Sequence, residues 1–138
     1  MADRVRRISY FYTMVPNRAG HGARVLRALA DAGVDLLAYS GFPSGGRAQL
    51  DFVPRDAGAL RRAARRAGIR LSARKTGFQI TGSDRVGACA SVLGKLAKAK
   101  INVTAMDAVT AGGGRWGALL WVKPRDVARA ARVLGAKK

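Results

Sequence analysis

Apolar positions along the chain alternate between two periods. Over residues 8–15 the side chains are mostly β-branched or aromatic, and Ile8, Tyr10, Tyr12 and Met14 share one face, as in a strand. Over about 20–32 the spacing becomes helical: Val25, Leu26 and Leu29 form one stripe, and Gly33 stands where a left-handed residue would end the helix. Period two returns over 34–41 and 47–53, where Ala48, Leu50 and Phe52 alternate with polar residues. The intervening Pro43-Ser44-Gly45-Gly46 predicts a hairpin. Asp56, just after Pro54, is a predicted N-cap for a helix that turns Leu60, Ala63, Ala64 and Ala67 inward and stops before Gly68. Residues 69–75 are expected to supply a fourth strand.

The same order then recurs. VPNRAGHGARVLRALADAGVDL lies over TGSDRVGACASVLGKLAKAKINV without a gap, Asn17 meeting Asp84 at an offset of 67. At that offset Arg18 meets Arg85, Gly20 meets Gly87, Leu29 meets Leu96, and Val34-Asp35 meets Ile101-Asn102. Ser44-Gly45-Gly46-Arg47 recurs as Gly112-Gly113-Gly114-Arg115, and Pro54-Arg55-Asp56 as Pro124-Arg125-Asp126. Duplication explains this better than chance. The second copy predicts strands at 77–81, 101–110 and 115–122, a helix at 87–99, and a last helix capped by Asp126.

A single parallel sheet is excluded by the Gly-rich turns, which are too short for crossovers. The expected class is therefore α+β: two ferredoxin-like βαββαβ units, residues 1–75 and 76–138, each an antiparallel sheet with helices on one face. After the last helix only Gly135-Ala136-Lys137-Lys138 remain, so the second unit should have a short or missing last strand, with its edge covered or completed by other backbone. Self-association, most simply as a homodimer, would satisfy such an edge.

Composition narrows the function. The chain has 138 residues, 49% hydrophobic and 25% charged, as in a globular protein. No apolar run approaches the ~20 residues of a membrane span and MADRVRRISY lacks the apolar centre of a secretory signal, so the expected location is cytoplasmic. One cysteine, Cys89, precludes an intramolecular disulfide or a multi-thiolate zinc site. The charge is lopsided: 26 Lys and Arg against 8 acidic residues, all Asp, giving +18. Such a field favours nucleic acid, acidic proteins or anionic ligands, although Arg and Ala abundance along the whole chain also fits a compositional bias.

Few residues offer chemistry. The turns Asn17-Arg18-Ala19-Gly20 and Asp84-Arg85-Val86-Gly87 each lead into a helix whose first amides have no internal partner, where a carboxylate or phosphate can dock. Equally, Asn17 and Asp84 can simply cap their helices. Gly20-His21-Gly22 begins like a dinucleotide motif, but Val25 replaces its third glycine. His21, the only histidine, and Cys89 lie in separate copies, so no nucleophile–base pair can be built around them, and no enzyme is expected. Arg61, Arg62, Arg65 and Arg66, with Arg55 before and Arg70, Arg74 and Lys75 after, make the densest basic surface. It is the basis of an alternative reading as a nucleic-acid binder using the helix within 55–70, with Trp116, Trp121, Tyr10, Phe11 or Tyr12 stacking bases.

Both turns resemble the Asn/Asp-Arg-Pro-Gly turn of ACT domains, followed as in that family by a helix and a Gly/Lys-Val/Ile-Asp/Asn strand start, so the chain resembles a tandem ACT-domain protein. The resemblance implies a regulatory protein that binds a small molecule, an amino acid first among candidates, at the joint between two units, with no cofactor or metal. Carried over, Asn17, Arg18, Ala19 and Gly20 would face Asn102, while Asp84, Arg85, Val86 and Gly87 would face Asp35. Ala19 and Val86 replace the family's usual Pro, and Val15 and Gly82 stand where a polar residue often precedes the motif.

Overall fold

The computed structural model describes residues 3–137. They form six strands and four α-helices in the order β1 (Arg4–Pro16), α1 (His21–Asp31), β2 (Leu36–Ser44), β3 (Arg47–Pro54), α2 (Ala57–Ala67), β4 (Lys75–Ser83), α3 (Ala88–Lys98), β5 (Val103–Thr110), β6 (Arg115–Val122) and α4 (Val127–Leu134). This is the expected α+β arrangement. The chain groups into two compact units: Ser9–Lys75, and Met1–Ile8 with Thr76–Lys138. β1 begins earlier than its sequence pattern indicates, and its opening residues belong with the second half of the chain.

In the Ser9–Lys75 unit the strand order is β2-β3-β1, all antiparallel. The register sets Phe11 across from Phe52 and Thr13 across from Leu50, so these four share one face. Leu29 of α1 and Leu60 and Ala63 of α2 close over that face and form its core. Val25 and Leu26 pack at the margin, while Ala67, expected inside, is exposed. The opposite face carries Tyr10, Tyr12 and Asp51. Asp51 is only 3% exposed and accepts a 2.9 Å hydrogen bond from the Gln49 amide. Burial, helped by the negative charge of Asp51, pushes the Tyr10 hydroxyl up to about 12, so it stays protonated.

Residues 69–74 do not form the expected fourth strand. They follow β1 through only three bonds: Ser72 N–H to the Tyr12 carbonyl (2.8 Å), Tyr12 N–H to the Ser72 hydroxyl (3.0 Å) and the Thr13 hydroxyl to the Arg70 carbonyl (2.7 Å). A side-chain oxygen stands in for a carbonyl, so no regular ladder propagates.

In the other unit the strand order is β1-β4-β6-β5. Phe78 lies across from Leu120 and Ile80 across from Ala118, and α3 (Val92, Leu96) and α4 (Ala130, Ala131, Leu134) cover them. The last strand is reduced to one residue, as its length predicts. Lys137 makes a parallel bridge to Arg6, donating to the Val5 carbonyl (2.9 Å) and accepting from Arg7 N–H (2.8 Å).

Positions matched at the 67-residue offset adopt matching backbone conformations. Gly20 and Gly87 both precede their helices with φ near +90°, and Gly68 and Gly135 both end theirs near +70°. β2 and β5 each carry an irregularity after their first residue. The match holds even where chemistry resists it: Gly33 (φ 77°) corresponds to Lys100, the only non-glycine with positive φ among the described residues (φ 58°). A side chain there costs about 1 kcal/mol, so Lys100→Gly should raise stability by roughly that amount and Gly33→Lys should lower it, read from urea unfolding midpoints.

The two paired aspartates differ. Asp56 caps α2, accepting from Gly58 N–H (2.9 Å) and Ala59 N–H (3.3 Å). Asp126 makes no cap bond, because Pro124–Asp126 forms a one-turn 3₁₀ helix leading directly into α4, and its carboxylate meets Arg129 at 3.7 Å instead. Asp56→Ala should therefore cost about 1 kcal/mol of stability and Asp126→Ala less than about 0.5, measured side by side by urea denaturation.

Candidate functional site

All ten residues singled out by sequence are on the surface: Asn17, Arg18, Ala19 and Gly20, Asp35, Asp84, Arg85, Val86 and Gly87, and Asn102. Each turn leaves the end of a strand and enters a helix through a left-handed glycine, and in neither does a side chain cap the helix. Asn17 and Asp84 are thus not N-caps. In the second turn Asp84 N–H bonds the Gly114 carbonyl (2.9 Å), tying the turn to the β5–β6 hairpin, and helical geometry leaves the first amides of α3 without an i−4 carbonyl.

Within a unit, turn and acceptor do not meet. The strand pairing runs Pro16 with Arg47 at one end of β3 and Leu36 with Pro54 at the other, so Asp35 lies at the far end from Asn17. Its carboxylate takes a 2.7 Å ion pair from Arg55. The same holds in the second unit, where Ser83 pairs with Arg115 but Val103 pairs with Val122, leaving Asn102 distant from Asp84.

The second turn lines a cavity of about 300 Å³ together with the first turn of α3 and the end of β5. Asp84, Arg85 and Gly87 form one wall, Ala88, Cys89 and Ala90 another, and Ala108, Val109, Thr110 and Trp116 the rest. Cys89, partly buried against the core, therefore also faces the cavity.

One residue that sequence reasoning passed over organises this wall. Asp3 grips Arg85 with both carboxylate oxygens (2.9 and 3.0 Å) and accepts the indole N–H of Trp116 (3.1 Å). Arg85 also donates to the Ser83 carbonyl (3.0 Å). Trp116 is 4% exposed, so its N–H needs a protein acceptor, and Asp3 supplies it. Room for Asp3 exists because Gly82, across from Trp116, has no side chain; a Cβ there would collide with the Asp3 carboxylate. The departure at Gly82 thus admits a carboxylate from another part of the chain. Asp3 lies 82 residues from Arg85 and 113 from Trp116, and no local pattern signals such a contact. The first copy has no counterpart to the indole: Ala48 stands where the second has Trp116.

Trp116 and Phe11, both buried, do not offer the stacking surfaces of the nucleic-acid reading. Phe11 is covered by the Arg61 guanidinium, 5.2 Å from its ring centre. The four arginines of α2 are exposed as expected. Among the described residues no group of three His, Cys, Asp or Glu is placed to hold a metal, and no helix is long and apolar enough to cross a membrane.

No protein-family model matches the chain, and no curated protein matches it. Solved structures do. The chain is similar to protein BT0572 from Bacteroides thetaiotaomicron (TM-score 0.81, 18% identity, covering 95% of this chain and 88% of that one). It is also similar to the ligand-free regulatory subunit of aspartate kinase from Thermus thermophilus (TM-score 0.66, 17% identity, 98% and 95%). A third likeness is to E. coli aspartokinase III in complex with aspartate and ADP, where it covers 96% of this chain and 32% of that one (TM-score 0.56, 17% identity). At these identities the likeness establishes the fold, which is ACT-like.

The Arg85 guanidinium, hydrogen-bonded to Asp3, holds the Asp3 carboxyl below its usual range, against the opposing effect of burial and with help from the Trp116 N–H. A depressed folded-state value stabilises the protein above the unfolded value and is lost as pH falls through the folded one. Asp3→Asn should therefore lower stability at neutral pH, with the difference from wild type vanishing as pH drops well below about 4, and should shift tryptophan emission. Urea titrations followed by fluorescence across pH check both.

Proposed function

We propose that this protein is a tandem ACT-type regulatory protein, not an enzyme, that binds a small molecule, an amino acid first among candidates, at the Asp84–Gly87 turn. The observation that carries this reading is that the turn singled out by sequence lines a concave, partly apolar cavity. The first-turn amides of α3, which lack i−4 carbonyls, and the positive end of its dipole suit an α-carboxylate. Asp84 suits an ammonium group, and Ala108, Val109 and Thr110 offer a surface for the side chain. Arg85, held by Asp3, is fixed rather than free to swing.

Because Asn102 and Asp35 lie far from the turns of their own units, either would reach a bound ligand only from a different ACT-like unit. A second copy of the chain is one source. β2 and β5 are edge strands, and Val86, fully exposed, and Val109, 68% exposed, lie beside the cavity, which supports assembly as a homodimer. The turn Asn17-Arg18-Ala19-Gly20 is a second, non-equivalent site in this reading. Regulation then follows from a ligand that prefers one assembly state over the other.

Thermal-shift screening of the twenty amino acids at millimolar concentration is expected to single out one or a few ligands. A ligand at 100 times its Kd should add about 2.7 kcal/mol of stability. Asp84→Ala should remove the shift while leaving the unliganded melting temperature nearly unchanged, since the Asp84 side chain is exposed and caps nothing. A flat response across all twenty would defeat the proposal.

A further inference from the structure

A second cavity, of about 530 Å³, lies within the Ser9–Lys75 unit, between β1 and the irregular segment that replaces its fourth strand. Its walls are Tyr12, Thr13 and Met14 of β1, Arg47 at the start of β3, and Arg70, Leu71 and Ser72. The cavity follows from the local structure: Ser72 and Thr13 hold the segment to β1 through side-chain oxygens, so it touches the strand at only two places and then departs. Lys75, 5.7 Å from the Tyr12 ring centre, adds a third cation nearby.

The charges are one-sided. This unit has twelve Arg and Lys against four Asp, and among the described residues no Asp forms an ion pair with the groove arginines. Asp31 pairs with Arg27 (3.9 Å), Asp35 pairs with Arg55 (2.7 Å), Asp56 caps α2, and Asp51 is buried with Gln49 bonded to it. No ion pair among the described residues involves Arg47 or Arg70. Arg47 makes only a 3.5 Å contact to the Met14 carbonyl, and Arg70 engages Thr13 through its backbone, leaving its guanidinium available. Two guanidinium groups in one concavity without a counter-ion repel each other, and a doubly charged oxyanion relieves that repulsion while taking paired N–H donors.

We propose that this groove binds the phosphoryl group of a small phosphorylated molecule, with Arg47 and Arg70 as its two clamps. The Tyr12 ring and Leu71 provide an apolar wall for the body of such a molecule, and the volume is that of a small-ligand site. The site is separate from the Asp84–Gly87 cavity in residues and in ligand chemistry.

The test is calorimetric titration of the full chain with inorganic pyrophosphate at fixed ionic strength. Arg47→Gln/Arg70→Gln is compared with Arg65→Gln/Arg66→Gln, which removes the same two charges from exposed α2 positions outside the groove. Saturable binding is expected, weakened about tenfold or more in the groove variant and little changed in the control. Equal weakening in both would show that net charge alone attracts the anion and would overturn the proposal, as would the absence of saturation in wild type. Amide chemical-shift mapping on the wild-type chain keeps the test decisive if the groove variant does not fold. Perturbations centred on Tyr12–Met14 and Arg70–Ser72 support the site, and perturbations confined to other residues reject it.

Discussion

Successive side chains of a strand point to opposite faces, so setting Phe11 across from Phe52 and Phe78 across from Leu120 commits each sheet to one covered face. A slip of β3 by one residue would place Asp51 and Gln49 beneath α1 and α2 and expel Leu50 and Phe52. The short glycine turns hold this register: Gly45 and Gly46 in one unit, and Gly112 to Gly114 in the other, all take positive φ that lets the strands reverse tightly. With the register fixed, the turns that enter α1 and α3 are fixed too, because they begin where β1 and β4 end. The candidate site is thus a consequence of hydrophobic packing several residues away.

Charge acts on a different level. The net +18 does not determine the fold, since both cores are apolar and the arginines of α2 project outward. What matters is where the few carboxylates are used. Asp56 neutralises a helix start, Asp35 and Asp31 meet arginines on the surface, and Asp3 joins Arg85 to Trp116. With so few acids, their placement decides which cations are balanced locally and which remain open to an outside anion. The Arg47–Arg70 groove and the Arg85 wall differ in this respect, although both are arginine-lined.

The two copies show how a duplicated backbone can diverge in chemistry. Gly20 and Gly87 adopt the same left-handed turn, and Lys100 even reproduces the conformation of Gly33 against its own preference. Around the second turn, however, Trp116 and the space left by Gly82 recruit Asp3, whereas the first copy has Ala48 in place of the indole. Matched positions thus keep their backbone conformation while a buried side chain, Trp116, differs and brings in its own acceptor.

Sequence alone determined what depends on neighbours along the chain. The order of strands and helices, the hairpin turns, the Asp56 cap, the helix ends at Gly33 and Gly68, and the glycine-led turns before α1 and α3 are all local, and periodicity or turn chemistry reveals them. It erred where a local preference is overruled by distant groups. Residues 69–74 have strand-like composition, yet Ser72 and Thr13 substitute side-chain bonds for the ladder, and Asp126 matches Asp56 in pattern but sits in a 3₁₀ turn. Only the tertiary structure decided that Asp51 is buried, that Trp116 is a core residue bonded to Asp3, and that the Asp84 turn lines a cavity. Each of these rests on contacts across strand pairing and helix packing, and such contacts leave no periodic mark in a single sequence.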